Sequence, residues 1–273
     1  MRSISRRVVP AGRGIAVTDQ QIERARSRLE RLEAEAEIRR LVHAYGYFID
    51  KAHYTGALDC FSDDGEIVFL NGIFRRQTGG FDRLLTTFLR RNPSGNSLPI
   101  RGLLIDHPMT QLIVDIGDDL DTATAKIRIL EFSGVHDSND AARGEMVIPQ
   151  PLEMIGVHVV KSDTPPPLPP SEPGAPPPPR QWIGGAALDL QTRKEDGIWK
   201  LVRLEYRIDW NVGFNSGWAH DIVRAGPFEC AYPHDPNGPD ALLEMPVHWP
   251  ERAMPDIRFR HPVTRQRIPF AGQ

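Results

Sequence analysis

The sequence predicts an α+β fold in which N-terminal helices pack on one face of a cone-shaped, curved antiparallel sheet around a deep pocket. Two observations support this fold class. The N-terminal part of the chain carries segments with helical spacing of apolar residues, and the following part carries long segments that alternate as strands do. Because the helices come first and the strands follow as a meander, the order favours α+β over the alternating order of an α/β fold.

The first predicted helix starts at a cap residue, Thr18 or Asp19, and continues through residue 50. Its middle is so rich in Glu and Arg that ion pairs four residues apart, rather than burial, are expected to support it. It becomes apolar and aromatic only from Leu41 onward, so this end is expected to enter the core. Two shorter helices are predicted over residues 55–61 and 79–91, the latter stopped by Asn92 and Pro93.

A short strand is predicted over residues 67–70, between the two shorter helices, and five more strands follow the last helix. Residues 107–135 give two strands that join at a Gly-Asp-Asp turn, residues 153–162 give a third, and residues 180–210 give two that join at Asp196-Gly197. The last strand, "IWKLVRLEYRIDW", mixes large aromatic residues with arginines and an aspartate. This mixture indicates a sheet whose concave face does more than pack.

The chain is predicted to form one domain over residues 18–212, with an N-terminal arm (1–17), an insertion (137–180) and a C-terminal tail (213–273). The insertion contains "TPPPLPPSEPGAPPPP", which is typical of a long surface loop, with a partner-docking segment as the alternative. The tail carries aromatic residues that are costly to leave in water, so we expect it to wrap over the domain and help to close the pocket.

Composition excludes several classes of protein. A formal net charge of −3 and a pI near 6.3 argue against a nucleic-acid partner. No apolar run reaches the roughly 18 residues that a membrane helix needs. The two cysteines, Cys60 and Cys230, lie far apart, which argues against a disulfide framework and favours a cytoplasmic location. The sequence has no glycine-rich phosphate loop, nucleophile elbow or dinucleotide fingerprint, so we expect no cofactor. We also expect no metal, because a site needs convergent ligands at recognisable spacing; a site formed by Asp50, Asp106 and His107 is the alternative.

Three segments resemble one known superfamily. Residues 37–69 are similar to its opening helix, the aspartate after it and an acidic turn into a strand; residues 107–132 are similar to a strand that begins with His; residues 196–210 look like its final strand. The superfamily is the cone-shaped α+β fold of scytalone dehydratase, ketosteroid isomerase and the SnoaL-like polyketide cyclases. The resemblance covers roughly residues 20–212 and implies a conical pocket walled in part by the last strand.

The resemblance implies a catalytic pair. His107 matches a pocket histidine of scytalone dehydratase, and Asp50 matches the aspartate that orients it. An imidazole held by a carboxylate is a sound general acid or base. Tyr45 and Tyr47, on the same helix, are candidate donors to a substrate oxygen. The alternative is that His107 is bonded only to backbone and that the tyrosines only pack.

Other residues are predicted to bind substrate or to serve as a second acid or base. His158 and Glu131 are the candidates for a second acid or base. The chain departs from scytalone dehydratase at Ile49, near Phe69 and at Leu188, so its water-binding set is not reproduced. The predicted substrate-binding residues, for which core packing or solvent exposure is the alternative, are Phe69, Phe132, Arg128, His158, Trp182 and Trp210.

The resemblance therefore implies a cofactor-independent lyase that acts on an aromatic or polycyclic hydroxylated small molecule. Loss of water is one outcome, and retro-aldol cleavage that releases a small aldehyde such as formaldehyde from a lignin-derived diaryl compound is the other. The alternatives are an isomerase or cyclase of the same fold, and a non-catalytic small subunit of a ring-hydroxylating dioxygenase. A homodimer or a homotrimer is expected.

Overall fold

A computed structural model describes residues 18–87, 103–136, 181–221, 226–251, 257 and 259–268. Three helices and eight strands lie in these ranges. The helices are α1 (Asp19–Asp50), α2 (Tyr54–Asp59) and α3 (Gly80–Thr87), and the strands are β1 (Phe61–Phe69), β2 (Gly72–Arg75), β3 (Leu103–Asp106), β4 (Met109–Ile116), β5 (Thr122–Val135), β6 (Gln181–Glu195), β7 (Ile198–Gly213) and β8 (Ala241–Leu242). The predicted arm (1–17) and the predicted strand at 153–162 lie outside the described residues.

The strands of the described residues form one open, curved sheet in the order β3-β5-β6-β7-β1-β2-β8, with β4 beside β3 on the edge of β5. The α+β class is confirmed, but the sheet is mixed rather than antiparallel, because β1 runs parallel to β7. Sequence alternation cannot reveal this pairing, since it joins residues more than 130 positions apart, such as Ile67 and Leu204. Strands β2, β3 and β8 were also not predicted.

Helix α1 begins with a capping box at Thr18, one of the two cap residues that the sequence predicts. Thr18 Oγ1 accepts the backbone N–H of Gln21, and the Gln21 side chain accepts the backbone N–H of Thr18. Its buried line consists of residues spaced by four, so one narrow stripe faces the sheet. That line is Ala34, Ile38, Val42 and Gly46. The stripe leads to the last residue of the helix, Asp50, which contacts His107 just after β3.

Part of the C-terminal tail completes the far edge of the sheet. Strand β8 pairs with β2, and Phe228 packs edge-to-face on Phe74 with a ring-centroid distance of 5.6 Å. The buried Asn71 side chain fixes this contact, because its oxygen accepts the Phe228 N–H at 2.7 Å and its amide donates to the Phe228 C=O at 3.1 Å. None of the helices among the described residues is long and apolar enough to cross a membrane.

Asn71→Ala is expected to destabilise the protein by about 3 kcal/mol, because it leaves a backbone N–H and a backbone C=O of Phe228 buried without their partner. Urea unfolding followed by circular dichroism measures the change. The exposed Asn237→Ala serves as the matched control and is expected to shift stability by less than about 0.5 kcal/mol. Equal stability of the two variants would show that the Asn71 clamp does not hold the tail.

Candidate active site

The site starts from an interruption of the sheet's edge. Strands β3 and β4 pair with consecutive parts of β5, and His107 and Pro108 lie between them. Proline has no N–H to give to a ladder, so regular pairing stops there. The pairs Asp106–Phe132 and Met109–Ile129 keep one register across the interruption. His107 therefore lies directly opposite Glu131 on β5.

Asp50, the last residue of α1, holds His107 through two contacts. The backbone N–H of His107 donates to Asp50 Oδ2 at 3.0 Å, and the ring nitrogen Nδ1 lies 2.7 Å from Asp50 Oδ1. A carboxylate only accepts hydrogen bonds, so Nδ1 carries the hydrogen of a neutral ring and Nε2 is the basic nitrogen. The structure thus brings together the two residues of the predicted catalytic pair; their catalytic role stays a prediction.

His107 faces an apolar cavity of about 190 Å³ between the helices and the concave face of the sheet. Aliphatic and phenyl side chains supply most of its wall, among them Ile49, Phe61, Phe69 and Ile105. Of the residues that the structure describes, six bring polar groups to it. They are Tyr45, His107, Glu131, Ser133, Tyr206 and Asn211. A cavity of this size matches one substituted ring, because a closed space of about 150 Å³ is enough for benzene.

Glu131 is the second carboxyl of the site, and only 6% of it is exposed. The phenol of Tyr206 donates to Glu131 Oε1, and the Asn211 amide donates to Oε2 at 3.0 Å. Gly184 lies opposite Glu131 on β6, where a Cβ would come 2.2 Å from Oε2. Glycine at this position is what leaves room for the carboxyl group to reach β7.

Burial and the neighbouring charges shift the pKa values of the ionisable groups in this site. Burial lowers the pKa of His107, but the hydrogen bond that its ring donates to Asp50 and the negative charges of Glu131, Asp50 and Asp106 outweigh burial and raise it. Burial raises the pKa of Glu131, while the Asn211 hydrogen bond and the His107 charge oppose the rise without cancelling it. Burial also raises the pKa of Tyr45 far above neutrality, so its phenol stays protonated and acts as a hydrogen-bond donor.

A bulge in β7 explains why Trp210 is not a wall residue, contrary to the prediction. Tyr206 and Ile208 point inward, and the regular alternation of a strand predicts that residue 210 does so as well. The register shifts there, because Gly185 pairs with Trp210 while Ala186 pairs with Ile208, so Asp209 is an extra residue. Asn211 therefore enters the cavity, and Trp210 packs against Trp218 with ring centroids 5.8 Å apart.

Of the other four predicted substrate-binding residues in the described ranges, one lines the cavity and three do not. Phe69 lines the cavity, as predicted. Phe132 does not, because it alternates with Glu131 and Ser133, which point inward. Arg128 is exposed and donates to Gln111 at 3.2 Å. Trp182 is half-buried, outside the cavity lining.

Tyr47 and His158 complete the comparison with the predicted site. The Tyr47 side chain is 71% exposed and lies beside Lys51, so only Tyr45 of the two predicted phenols reaches the cavity. Alternation around the helix separates them, since residues two apart on a helix point in different directions. His158 lies outside the described residues.

Three polar lining residues were not predicted as site residues: Ser133, Tyr206 and Asn211. Tyr206 carried a signal, as an aromatic residue in a strand expected to wall the pocket. No pattern in the sequence indicated Asn211, because its inward direction depends on the bulge in β7. Within the described ranges no group of three His, Cys, Asp or Glu side chains converges as a metal site.

The chain belongs to the SnoaL-like domain family, because the family's model matches residues 30–205. Among solved structures it is similar to the hexachlorocyclohexane dehydrochlorinase LinA-type3 from Novosphingobium barchaimii LL02, with 15% identity, a TM-score of 0.45 and coverage of 71% of this chain and 98% of that chain. It is also similar to ActVI-ORFA from Streptomyces coelicolor, with 13% identity, a TM-score of 0.40 and coverage of 64% and 96%. At these identities the likeness concerns the fold alone. A search of curated proteins finds no match to this chain.

Asp50→Asn is expected to lower the pKa of His107, because the variant removes the charge and weakens the hydrogen bond that favour the imidazolium. The titration of the His107 ring protons by NMR measures the change. Asp59→Asn, an exposed aspartate on α2, removes the same charge away from the ring and serves as the control. If His107 has the same pKa in both variants, the Asp50 contact does not set the proton affinity of its ring.

Proposed function

We propose that this protein is a cofactor-independent lyase that removes water from a neutral, hydroxylated ring compound by acid–base catalysis. One observation carries this proposal: an imidazole held by a buried carboxylate opens into an apolar cavity of about 190 Å³. A carboxylate that fixes the tautomer of an imidazole facing a cavity is the arrangement of a general acid or base.

In the proposed reaction His107 takes a proton from the carbon adjacent to the one that carries the departing hydroxyl. Asp50 holds Nδ1–H, which directs Nε2 to the substrate and stabilises the imidazolium that forms. The C–H and C–O bonds break, a C=C bond forms and the hydroxyl leaves as water after it receives a proton. Retro-aldol cleavage with release of a small aldehyde uses the same base on an O–H group.

Two groups of the cavity suit the oxygen of the substrate. The Tyr45 phenol stays protonated and donates a hydrogen bond to developing negative charge. Glu131 lies beside His107, and its raised pKa favours a protonated carboxyl that can deliver the proton to the departing hydroxyl. Tyr206 and Asn211 hold that carboxyl in place.

The lining of the cavity selects against anions. Among the described residues that line it there is no lysine or arginine. A carboxylate or phosphate on the substrate would lose its water of hydration without such a cation to compensate the loss. The substrate is therefore a neutral compound whose buried part is about one ring.

The catalytic pair is tested by His107→Gln against a panel of neutral hydroxylated aromatic and alicyclic compounds. The variant is expected to lose about 100-fold or more in kcat/KM, since a positioned general base contributes that much. Mass spectrometry identifies the reaction, because dehydration gives a product lighter by one water whereas isomerisation leaves the mass unchanged. Undiminished turnover by His107→Gln would remove this residue from the mechanism.

Tyr45→Phe with Tyr47→Phe as its matched control tests the phenol in the same assay. Both variants delete one hydroxyl from the same helix, but only Tyr45 faces the cavity. Tyr45→Phe is expected to lower kcat by about tenfold or more, and Tyr47→Phe to leave it unchanged. The reverse order would place the oxygen-binding phenol at Tyr47.

The pH dependence of kcat/KM follows from the direction of the His107 shift. The base works only when neutral, and its pKa is raised above the ordinary imidazole value, so kcat/KM is expected to rise with pH through an apparent pKa above 6.5. Asp50→Asn is expected to lower the maximum and to move this rising limb to lower pH. A limb that stays in place in Asp50→Asn would assign the titration to another group.

Substrate charge is tested by binding. Phenol and benzyl alcohol are expected to bind at least about tenfold more tightly than benzoate, because only the anion pays for lost hydration beside Glu131. Isothermal titration calorimetry measures the three affinities. Because the Glu131 carboxyl is proposed to be protonated, Glu131→Gln is expected to leave this difference nearly unchanged. Tighter binding of benzoate by the unmodified protein would contradict the proposed substrate class.

A further inference from the structure

The N-terminal half of α1 carries an apolar stripe that the other described residues leave uncovered. The stripe residues recur at spacings of three and four, which is the heptad pattern of helices that pair with another helix. The three large ones, Ile22, Leu29 and Leu32, are 55%, 55% and 64% exposed. Ala25 and Ala36 complete the stripe and are also exposed.

The stripe points away from the sheet. The buried line of α1 starts at Ala34 and Ile38, and each residue of a helix is rotated by about 100° from the one before. Leu32 and Ala36 are each two positions from Ala34 and thus lie on the opposite side of the helix. On the sheet side, Arg31 donates to the Ile116 carbonyl oxygen at 3.2 Å. The domain therefore fixes one side of α1 and leaves the heptad stripe available.

The charges beside the stripe are divided by sign along the helix. Arg26 and Arg28 flank its first half, and Glu33 and Glu35 flank its second half. When two such helices lie antiparallel with their centres between residues 30 and 31, Leu29 faces the partner's Leu32. Arg26 then flanks the partner's Glu33, and Arg28 flanks the partner's Glu35, each pair occurring twice by symmetry.

Part of this charge has no counterpart within the chain. Among the described residues, Arg28 and Glu33 make no ion pair, while Arg26 pairs with Glu30 at 3.1 Å and Glu35 with Arg39 at 2.8 Å in the same helix. Antiparallel pairing supplies both unpaired residues with opposite charges. It also places Ala25 against the partner's Ala36, so small faces small and large faces large.

We propose that a second copy of this chain docks on the heptad stripe of α1, so that two α1 helices pair antiparallel. The contact spans residues 22–39, which is about 27 Å of helix. It lies on the side of α1 away from the cavity, so this proposal is independent of the proposed reaction.

Leu29→Glu with Leu32→Glu is the first test, read by light scattering coupled to size-exclusion chromatography. These residues are exposed, so circular dichroism and Tm are expected to match the unmodified protein while the assembly mass falls by a factor of two. Arg24→Glu, exposed on the same helix but off the stripe, is the control and is expected to keep the mass. An unmodified protein of 30.7 kDa in solution, or an unchanged mass in the double variant, would overturn the proposal.

Charge reversal tests the antiparallel match. Arg26→Glu with Arg28→Glu makes all four flanking residues acidic, and Glu33→Arg with Glu35→Arg makes all four basic, so each variant alone is expected to lose the pairing. Mixing the two restores opposite charges and is expected to restore the doubled mass. Failure of the mixture to associate, when each variant alone is folded and dissociated, would contradict the charge match.

Cysteine cross-linking in a Cys230→Ser background fixes the direction. In the antiparallel pair, residue 25 lies against the partner's residue 36 and about 16 Å from the partner's residue 25. A mixture of Ala25→Cys and Ala36→Cys is expected to form a disulfide-linked dimer, whereas Ala25→Cys alone is not. Efficient cross-linking of Ala25→Cys to itself would show a parallel pair and overturn the proposed arrangement.

Discussion

The contact between Asp50 and His107 is the constraint on which the site depends. One carboxylate accepts the backbone N–H of His107 and holds its ring nitrogen. The backbone N–H is available because 108–130 is a hydrogen-bonded pair of the antiparallel ladder, so the N–H of the preceding residue, His107, points away from β5. The same carboxylate ends α1, so the contact ties the helix to the sheet's edge and sets the direction of the imidazole. The same contact therefore joins the helix to the sheet and sets the geometry of the site.

The apolar wall gives this contact its chemical effect. Burial disfavours every charge in the cavity, so each ionisable group depends on its neighbours for its protonation state. Around His107 the neighbouring carboxyls outweigh burial, while around Glu131 burial outweighs the hydrogen bond from Asn211 and the charge of His107. Both groups consequently hold protons more tightly than they do in water. The pair places the protonated carboxyl of Glu131 beside the basic nitrogen of His107, as the proposed elimination requires.

The order of helical and alternating segments predicted the fold class, and the resemblance to scytalone dehydratase paired Asp50 with His107. The predictions failed where direction depends on pairing. Phe132 and Trp210 were assigned to the wall, but the register of β5 and the extra residue Asp209 in β7 turn them out of it. The parallel pairing of β1 with β7 is non-local and leaves no periodicity to read.

Two of the polar groups reach the cavity through departures from regular sheet structure. A regular strand repeats the same face at every second residue, and here that face is mostly apolar, as Leu204 and Ile208 show. His107 enters at an interruption of the edge, and Asn211 enters after the β7 bulge, which reverses the alternation. Glu131 sits at a regular position, but it depends on the missing side chain of Gly184. The apolar cavity follows from periodicity, and its chemistry follows from the places where periodicity is broken.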